Sequence, residues 1–313
     1  MHFLQHLPHF IGLERLDASE IRLTQSVITT LCGLPALREL CLYMPSALAR
    51  SEGRPFPNVH RLELLDGFPF PTTHDIVAFC NKFPNLRALA SSAGYGGLLR
   101  DLTRAEESSI FPVLQEYTGT LRNLHIFARR STLTHITLVD GFLFSRLVAE
   151  LQGVAALPNI TFLSLALITS ESSWFDGAQI ETLFTLFPNL TELQLTFMPT
   201  EPDPQILTWQ INGSLDALLS LLPSTLRSIS LKLDLSDYHD TRDPDLEDDF
   251  SLLFDYPHFP SLRAELMAKC PALTYILFDG YHFLFLWWKT STSSVWEATA
   301  DYYADARGPS GAT

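Results

Sequence analysis

The sequence predicts an α/β solenoid built from repeated strand–helix units around one long apolar core. Three observations predict it. A short phrase, a Pro, one residue, then L-x-x-L-x-L, recurs along the chain. Within each copy the apolar residues alternate, which is the period of a strand with one buried face. Between copies the apolar period lengthens to that of one helix face.

The copies follow in order. A weak one, GLERLDA, starts at Gly12, and LPALRELCL stands around residue 37. FPNVHRLEL, FPNLRALAS and FPVLQEYTG follow around 59, 86 and 114. TLTHITL, from Thr132, is weak again, and LPNITFLSL and FPNLTELQL stand around 160 and 190. TLRSISL from Thr225 and CPALTYILF around 273 complete the series. The first apolar residue of each copy is its anchor: Leu13, Leu37, Val59, Leu86, Leu114, Leu133, Ile160, Leu190, Leu226 and Leu273. Most anchors stand 19 to 30 residues apart, and the last two spacings stretch to 36 and 47. That period is the one found in leucine-rich repeats.

Residues three and five after each anchor are expected to point inward, as Leu40 and Leu42 do, or Leu193 and Leu195. Ser91 and Gly119 depart from the pattern. Ile76, Phe79, Cys80 and Phe83 are spaced as one helix face. So are Ile180, Leu183, Phe184 and Phe187, and again Leu215, Leu218, Leu219 and Leu222. Asp176, with Gln179 three residues on, and Ser214 mark helix starts. The Pro two or three residues before most anchors ends each helix and turns the chain. Between residues 115 and 133, Leu121, Leu124 and Ile126 offer a competing strand phase. Residues 3–11 read as the helical half of a repeat, carried by Phe3, Leu4, Leu7, Phe10 and Ile11. A short capping helix broken at Pro8 is the alternative.

One repeat domain over 1–296 is therefore expected, with an acidic insertion at 234–255 and a loose tail at 297–313. Stacking is obligatory, because one unit cannot bury its own apolar faces.

Of 313 residues 46% are apolar, which excludes an intrinsically disordered chain. Lys and Arg number 21 against 35 Asp and Glu, a net charge of −14. Nucleic acid is not an expected partner, because phosphate neutralisation needs a basic face. The four cysteines form no C-x-x-C pair and read as free thiols of a reducing compartment. His2, Gln5, His6, Pro8 and His9 interrupt any signal-peptide core. The apolar stretch from Tyr275 to Trp288 carries Asp279 and His282 and is too short to span a bilayer. It reads as a buried aromatic strand and its flank. An intracellular protein, in cytoplasm or nucleus, is expected, with no membrane partner.

The alternation of [FLC]-P-x-L-x-x-L-x-L strands with helices resembles the leucine-rich repeat domains of F-box proteins. FPNLTELQL and KCPALTYILF look most like the large fungal sets of such proteins. The resemblance covers roughly residues 7–290. It implies a horseshoe with a parallel concave sheet and convex helices. It also implies substrate recognition within an SCF-type ubiquitin ligase, without catalysis by this chain. In that family a small helical F-box precedes the repeats and binds a Skp-type adaptor and, through it, a cullin. No such module is found in this chain, so those two partners are expected only if an F-box lies upstream. The bound protein target is not named by the sequence.

Residues two and four after each anchor would face the open side of the sheet. They suit recognition of a protein or peptide. The candidate binding residues are Arg15, Glu39, Arg61, Glu63, Glu116, His135, Phe162, Glu192, Gln194 and Tyr275. Phe162 and Tyr275 are the candidate anchors.

Other constellations are weaker. GYGG at 94–97 lacks the rest of a phosphate-loop pattern. His2, His6 and His9 have ligand-like spacing, but no Cys or carboxylate completes a metal site. The run from Asp234 to Asp255 has no calcium-loop spacing and reads as a solvated insertion. Cys41 and His135 share a face but stand four strands apart. No catalytic residue, cofactor or metal is nominated. Two rival functions remain. One is a free-standing repeat protein that binds or inhibits another protein. The other is an enzyme or GTPase-activating repeat protein, for which Arg129 and Arg130 are the only adjacent Arg pair.

Overall fold

A computed structural model describes residues 6, 9–43, 46–51, 54–65, 70, 72–91, 102–152, 154, 156–170, 176–200, 217–218, 220–234, 266–280, 283–289 and 296–299. The chain forms two compact units, Met1–Asp140 and Gly141–Thr313.

The first unit carries six parallel strands: β1 (Arg15–Asp17), β2 (Glu39–Leu42), β3 (Arg61–Leu64), β4 (Ala88–Ser91), β5 (Glu116–Gly119) and β6 (His135–Leu138). They pair in chain order. Helices alternate with them: α1 (Gln25–Cys32), α2 (Ser46–Ala49), α3 (Thr73–Cys80), α4 (Arg104–Ser109) and α5 (Leu121–Ala128). In the second unit β7 (Phe162–Thr169), β8 (Glu192–Pro199), β9 (Ser228–Leu233) and β10 (Tyr275–Gly280) are parallel neighbours. The sheet then turns antiparallel through β11 (Phe283–Lys289) and β12 (Trp296–Thr299). Helices α6 (Phe144–Glu150) and α7 (Gly177–Leu186) belong to this unit. Each unit is thus α/β with a largely parallel sheet, compatible with a solenoid-like arrangement.

All ten expected strands form, and each begins two residues after its anchor. The reason is a repeated turn. The anchor N–H donates to the carbonyl three residues earlier: Val59 to Phe56 at 3.3 Å, Leu86 to Phe83 at 3.3 Å, Leu190 to Phe187 at 3.4 Å. Pro fills the second position of that turn, where its fixed φ fits. The helix has already ended there, at Cys80 before Pro84 and at Leu186 before Pro188. So Pro shapes the turn more than it stops the helix.

The next two N–H groups then share one carbonyl of the preceding repeat. His60 and Arg61 both donate to Arg38, at 2.8 and 3.0 Å, and Thr191 and Glu192 both donate to Thr161, at 2.8 and 2.9 Å. Asparagine adds a side-chain rung. Asn58 donates to the Pro35 carbonyl at 2.8 Å, Asn85 to Pro57 at 2.9 Å and Asn189 to Pro158 at 2.9 Å. Each bond crosses from one repeat to the one before.

Residues three and five after the anchors are buried wherever their side chains are described, including Ser91 at 2% exposure. Apolar helix faces close over them. Ile76, Phe79 and Cys80 of α3 are buried, and the Phe79 and Phe83 rings lie 5.2 Å apart. In α7, Ile180 and Leu183 are buried, with Phe187 just beyond. Leu218 and Leu222 are buried around a short helical stretch at 217–218 and 220–221. Leu215, Leu219 and Ser214 lie outside the described residues. Asp176 caps α7 by accepting from the Gln179 N–H at 2.9 Å. Thr103 and Glu106 form a complete capping box on α4.

Four sequence expectations are corrected. The competing strand phase at 121–126 is instead α5, with Leu121, Leu124 and Ile126 all buried. The stretch from Tyr275 to Trp288 is not one strand but the arms of an antiparallel pair, Tyr275 opposite Trp288. The expected tail begins inside a strand, because β12 runs to Thr299. Phe10 and Ile11, read as a helix face, are 46% and 74% exposed.

Candidate functional site

The open face of the first unit is built from residues two and four after each anchor. Register places Arg15, Glu39, Arg61, Ala88, Glu116 and His135 in one row across six strands. Asp17, Cys41, Glu63, Ala90, Thr118 and Thr137 form the second row. All are exposed or half-buried. The first row alternates in sign. Arg15 pairs with Glu39 at 3.7 Å, and Arg61 reaches across Ala88 to Glu116 at 4.0 Å. The missing side-chain length at Ala88 makes that reach open. Exposed pairs of this kind add only ~0.2–1 kcal/mol. They balance the charges of the first row, while Asp17 and Glu63 leave the second row acidic.

The chemistry of this face is quiet. The Ser19 hydroxyl and backbone N–H hold the Asp17 carboxyl below its usual range, with the N–H donating at 2.9 Å. Burial, then the negative charges of Asp17 and Glu63, push the Cys41 thiol up to about 11. At neutral pH it is protonated and a poor nucleophile. His135 is engaged by the Thr134 hydroxyl, 2.8 Å from Nδ1. Four strands separate Cys41 from His135, roughly 19 Å at sheet spacing. They form no catalytic pair.

In the second unit the same positions form two rows of five. Phe162, Glu192, Ser228, Tyr275 and Trp288 are in register, as are Ser164, Gln194, Ser230, Leu277 and Leu286. Glu192 and Gln194 are exposed, and the other eight residues are half-buried. Phe162 stands at one end, Tyr275, Trp288, Leu277 and Leu286 at the other, with polar residues between. Trp288 and Leu286 escaped the sequence reading because they lie on an antiparallel strand with no Pro-anchored phrase. No alternation marks them either, because Phe283, Phe285 and Trp287 between them are apolar too.

All ten sequence-nominated residues therefore lie on an open face, six in the first unit and four in the second. Each is in register with its unit's others.

The first unit also holds a buried polar cluster. The Tyr117 hydroxyl donates to the Thr120 carbonyl at 2.9 Å, and Asp140 Oδ1 accepts from the Leu121 N–H at 3.0 Å. Asp140 thus caps α5, whose own N-cap Thr120 makes no side-chain bond. Burial, and then the Asp140 charge, push the Tyr117 hydroxyl well up. The fully buried Asn123 amide lies beside that hydroxyl without a hydrogen bond of regular geometry. Tyr117, Thr120 and Asn123 are buried and Asp140 is half-buried, so the cluster holds the end of α5 against the core.

Arg130 also serves the core. It takes the turn position that Phe83, Phe111 and Phe187 fill in other repeats. Its Nη2 donates to the Glu107 carbonyl at 2.5 Å, and its guanidinium lies 5.7 Å from the Phe127 ring centroid. Burial works against its charge. Only Arg129 of that pair is exposed.

His6 and His9 have ring centroids 6.2 Å apart, and His2 lies outside the described residues. Among the described residues no group of three His, Cys, Asp or Glu is placed to hold a metal ion. GYGG at 94–97 and the acidic run beyond Asp234 lie outside the described residues. All four cysteines are free. Among the described residues no helix is long and apolar enough to cross a membrane. No protein-family model matches the chain, and no curated protein matches it.

Proposed function

We propose that the chain is a non-catalytic protein-recognition module of the leucine-rich repeat, horseshoe kind, which binds its target on the open sheet face. The observation that carries this reading is the register of that face. Six strands in the first unit and four in the second, each two residues after a leucine-type anchor, present rows in register within their unit, charged, hydroxylated and aromatic. Repeat proteins use such extended surfaces for binding. The reactive groups on it support no chemistry, since Cys41 is protonated and far from His135.

Within that reading, the resemblance to F-box repeat proteins suggests substrate recognition for an SCF-type ubiquitin ligase inside the cell. The test is affinity capture of the chain, tagged at its C-terminus at its native locus, read by mass spectrometry. Wild type is compared with Arg61→Glu and Glu192→Arg. A Skp-type adaptor and a cullin should be captured with all three, and a target should be lost with a face variant. Capture without adaptor or cullin removes the ligase role. It leaves the free-standing binding protein, provided a face variant still loses a captured protein.

A further inference from the structure

We propose that the open face of the second unit binds an extended peptide segment of pattern apolar–x–basic–x–apolar, laid across the strands. This rests on the reading of that face as a protein-binding surface.

Three features select the occupant. The first is spacing. Phe162 and Tyr275 lie in one row, three strands apart, which is roughly 14 Å at ~4.8 Å per strand. An extended peptide advances ~3.3 Å per residue and turns alternate side chains to one side. Its first and fifth residues are then roughly 13 Å apart and meet Phe162 and Tyr275.

The second feature is charge. The third peptide residue falls between β8 and β9, where Glu192 is exposed. Glu192 is the sole charged residue of the two rows and makes no ion pair among the described residues. A Lys or Arg there gains a carboxylate that no ion pair among the described residues engages. Ser228 and Gln194 stand beside it to accept its remaining hydrogens. This differs from the first unit, where Arg15–Glu39 and Arg61–Glu116 already satisfy one another.

The third feature is the far end. Leu277, Leu286 and Trp288 are all half-buried and on the same face as Tyr275. Directly opposed residues of an antiparallel pair share a face, so β11 widens the apolar end by one strand. A large apolar side chain at the fifth position finds walls on two sides. One at the seventh reaches Trp288. Aromatic anchors at the ends and a single desolvated ion pair between them make a compact hot-spot arrangement.

The experiment uses the full chain and fluorescein-labelled nonapeptides in fluorescence polarisation. The lead peptide has Leu, Arg and Leu at its second, fourth and sixth positions in a Ser/Gly background. Controls replace Arg by Glu, or both Leu by Ser. The lead is expected to bind at least tenfold tighter than either control. Glu192→Arg should reverse the Arg-over-Glu preference, and Glu192→Gln should flatten it. Trp288→Phe should hold affinity within about threefold while Trp288→Ala loses more, with thermal melts confirming that each variant folds. A ranking unchanged by Glu192→Arg, or no preference for the lead in the wild type, overturns the proposal. If target capture survives Glu192→Arg but is lost in Arg61→Glu, this inference alone fails. Capture indifferent to both variants overturns the binding-face reading beneath it.

Discussion

Gly119 takes the position at which Leu42, Leu64 and Leu138 point into the core from β2, β3 and β6. A Cβ there would lie 2.5 Å from the Tyr117 hydroxyl and 2.7 Å from its ring carbon. Tyr117 is the inward residue two positions earlier, and its ring occupies the volume a leucine would fill. The bond to the Thr120 carbonyl pins it in place. Gly119→Ala should therefore cost about 1–3 kcal/mol in urea unfolding, the range for overpacking. In a Tyr117→Leu background the same substitution should cost far less, because the clash is with one ring. Equal costs in the two backgrounds would contradict this account. Cys41 makes a second residue-scale case. Its thiol is pushed from the ordinary 9.0 up to about 11, so the folded chain holds that proton longer than the unfolded one. Its contribution to stability is complete below about pH 9 and is lost as pH rises from about 9 to about 11. A Cys41→Ala chain should lose less stability over that window than wild type, measured as urea midpoints at stepped pH.

At the scale of the element, the repeat is held by bonds that run between copies as much as within them. The anchor turn orients Pro, and the Asn that follows reaches back to the preceding repeat's Pro carbonyl. The contact needs a side-chain donor at that position, since a carbonyl can only accept. Asn85→Ala should cost about 1 kcal/mol, the usual net worth of such a bond. Asn85→Asp should cost at least as much, because a carboxylate cannot donate to Pro57. Chemical denaturation of the two variants checks this, and an unimpaired Asp variant would show that the rung carries no weight. The helices show the opposite balance. Thr24, Thr72 and Thr103 cap α1, α3 and α4 through their own hydroxyls, a purely local device. The α4 box, Thr103 with Glu106, was visible as T-x-x-E in the sequence. The α5 cap was not, because its carboxylate comes from Asp140, 19 residues away.

At the scale of the whole molecule, the second unit ends its parallel run with a change of direction. β10 pairs with β9 on one side and antiparallel β11 on the other. Removing residues 281–313 would leave the β10 edge unpaired, a template for association. Such a truncated chain should form concentration-dependent aggregates by light scattering where the full chain does not. A monodisperse truncation would mean the hairpin does not guard that edge. The ten parallel strands were legible because each sits at a constant offset from a local phrase, and burial follows from alternation alone. The rows of the open face were legible for the same reason, since positions two and four are whatever positions three and five are not. Leu286 and Trp288 were not legible, because an antiparallel return has no crossover helix and no anchor phrase to count from. Nothing in the sequence around Arg130 separates it from the exposed Arg129 beside it. Only the packing around Arg130 shows a side chain held at a turn position that other repeats give to phenylalanine. The sequence by itself determined the ten anchored strands, their order and which face their residues take, since those depend on a period of two counted from a local phrase. Tertiary structure alone decided which exceptions are tolerated. Gly119, Arg130 and Asp140 act through partners supplied by other residues' packing, and contact of that kind has no period to read.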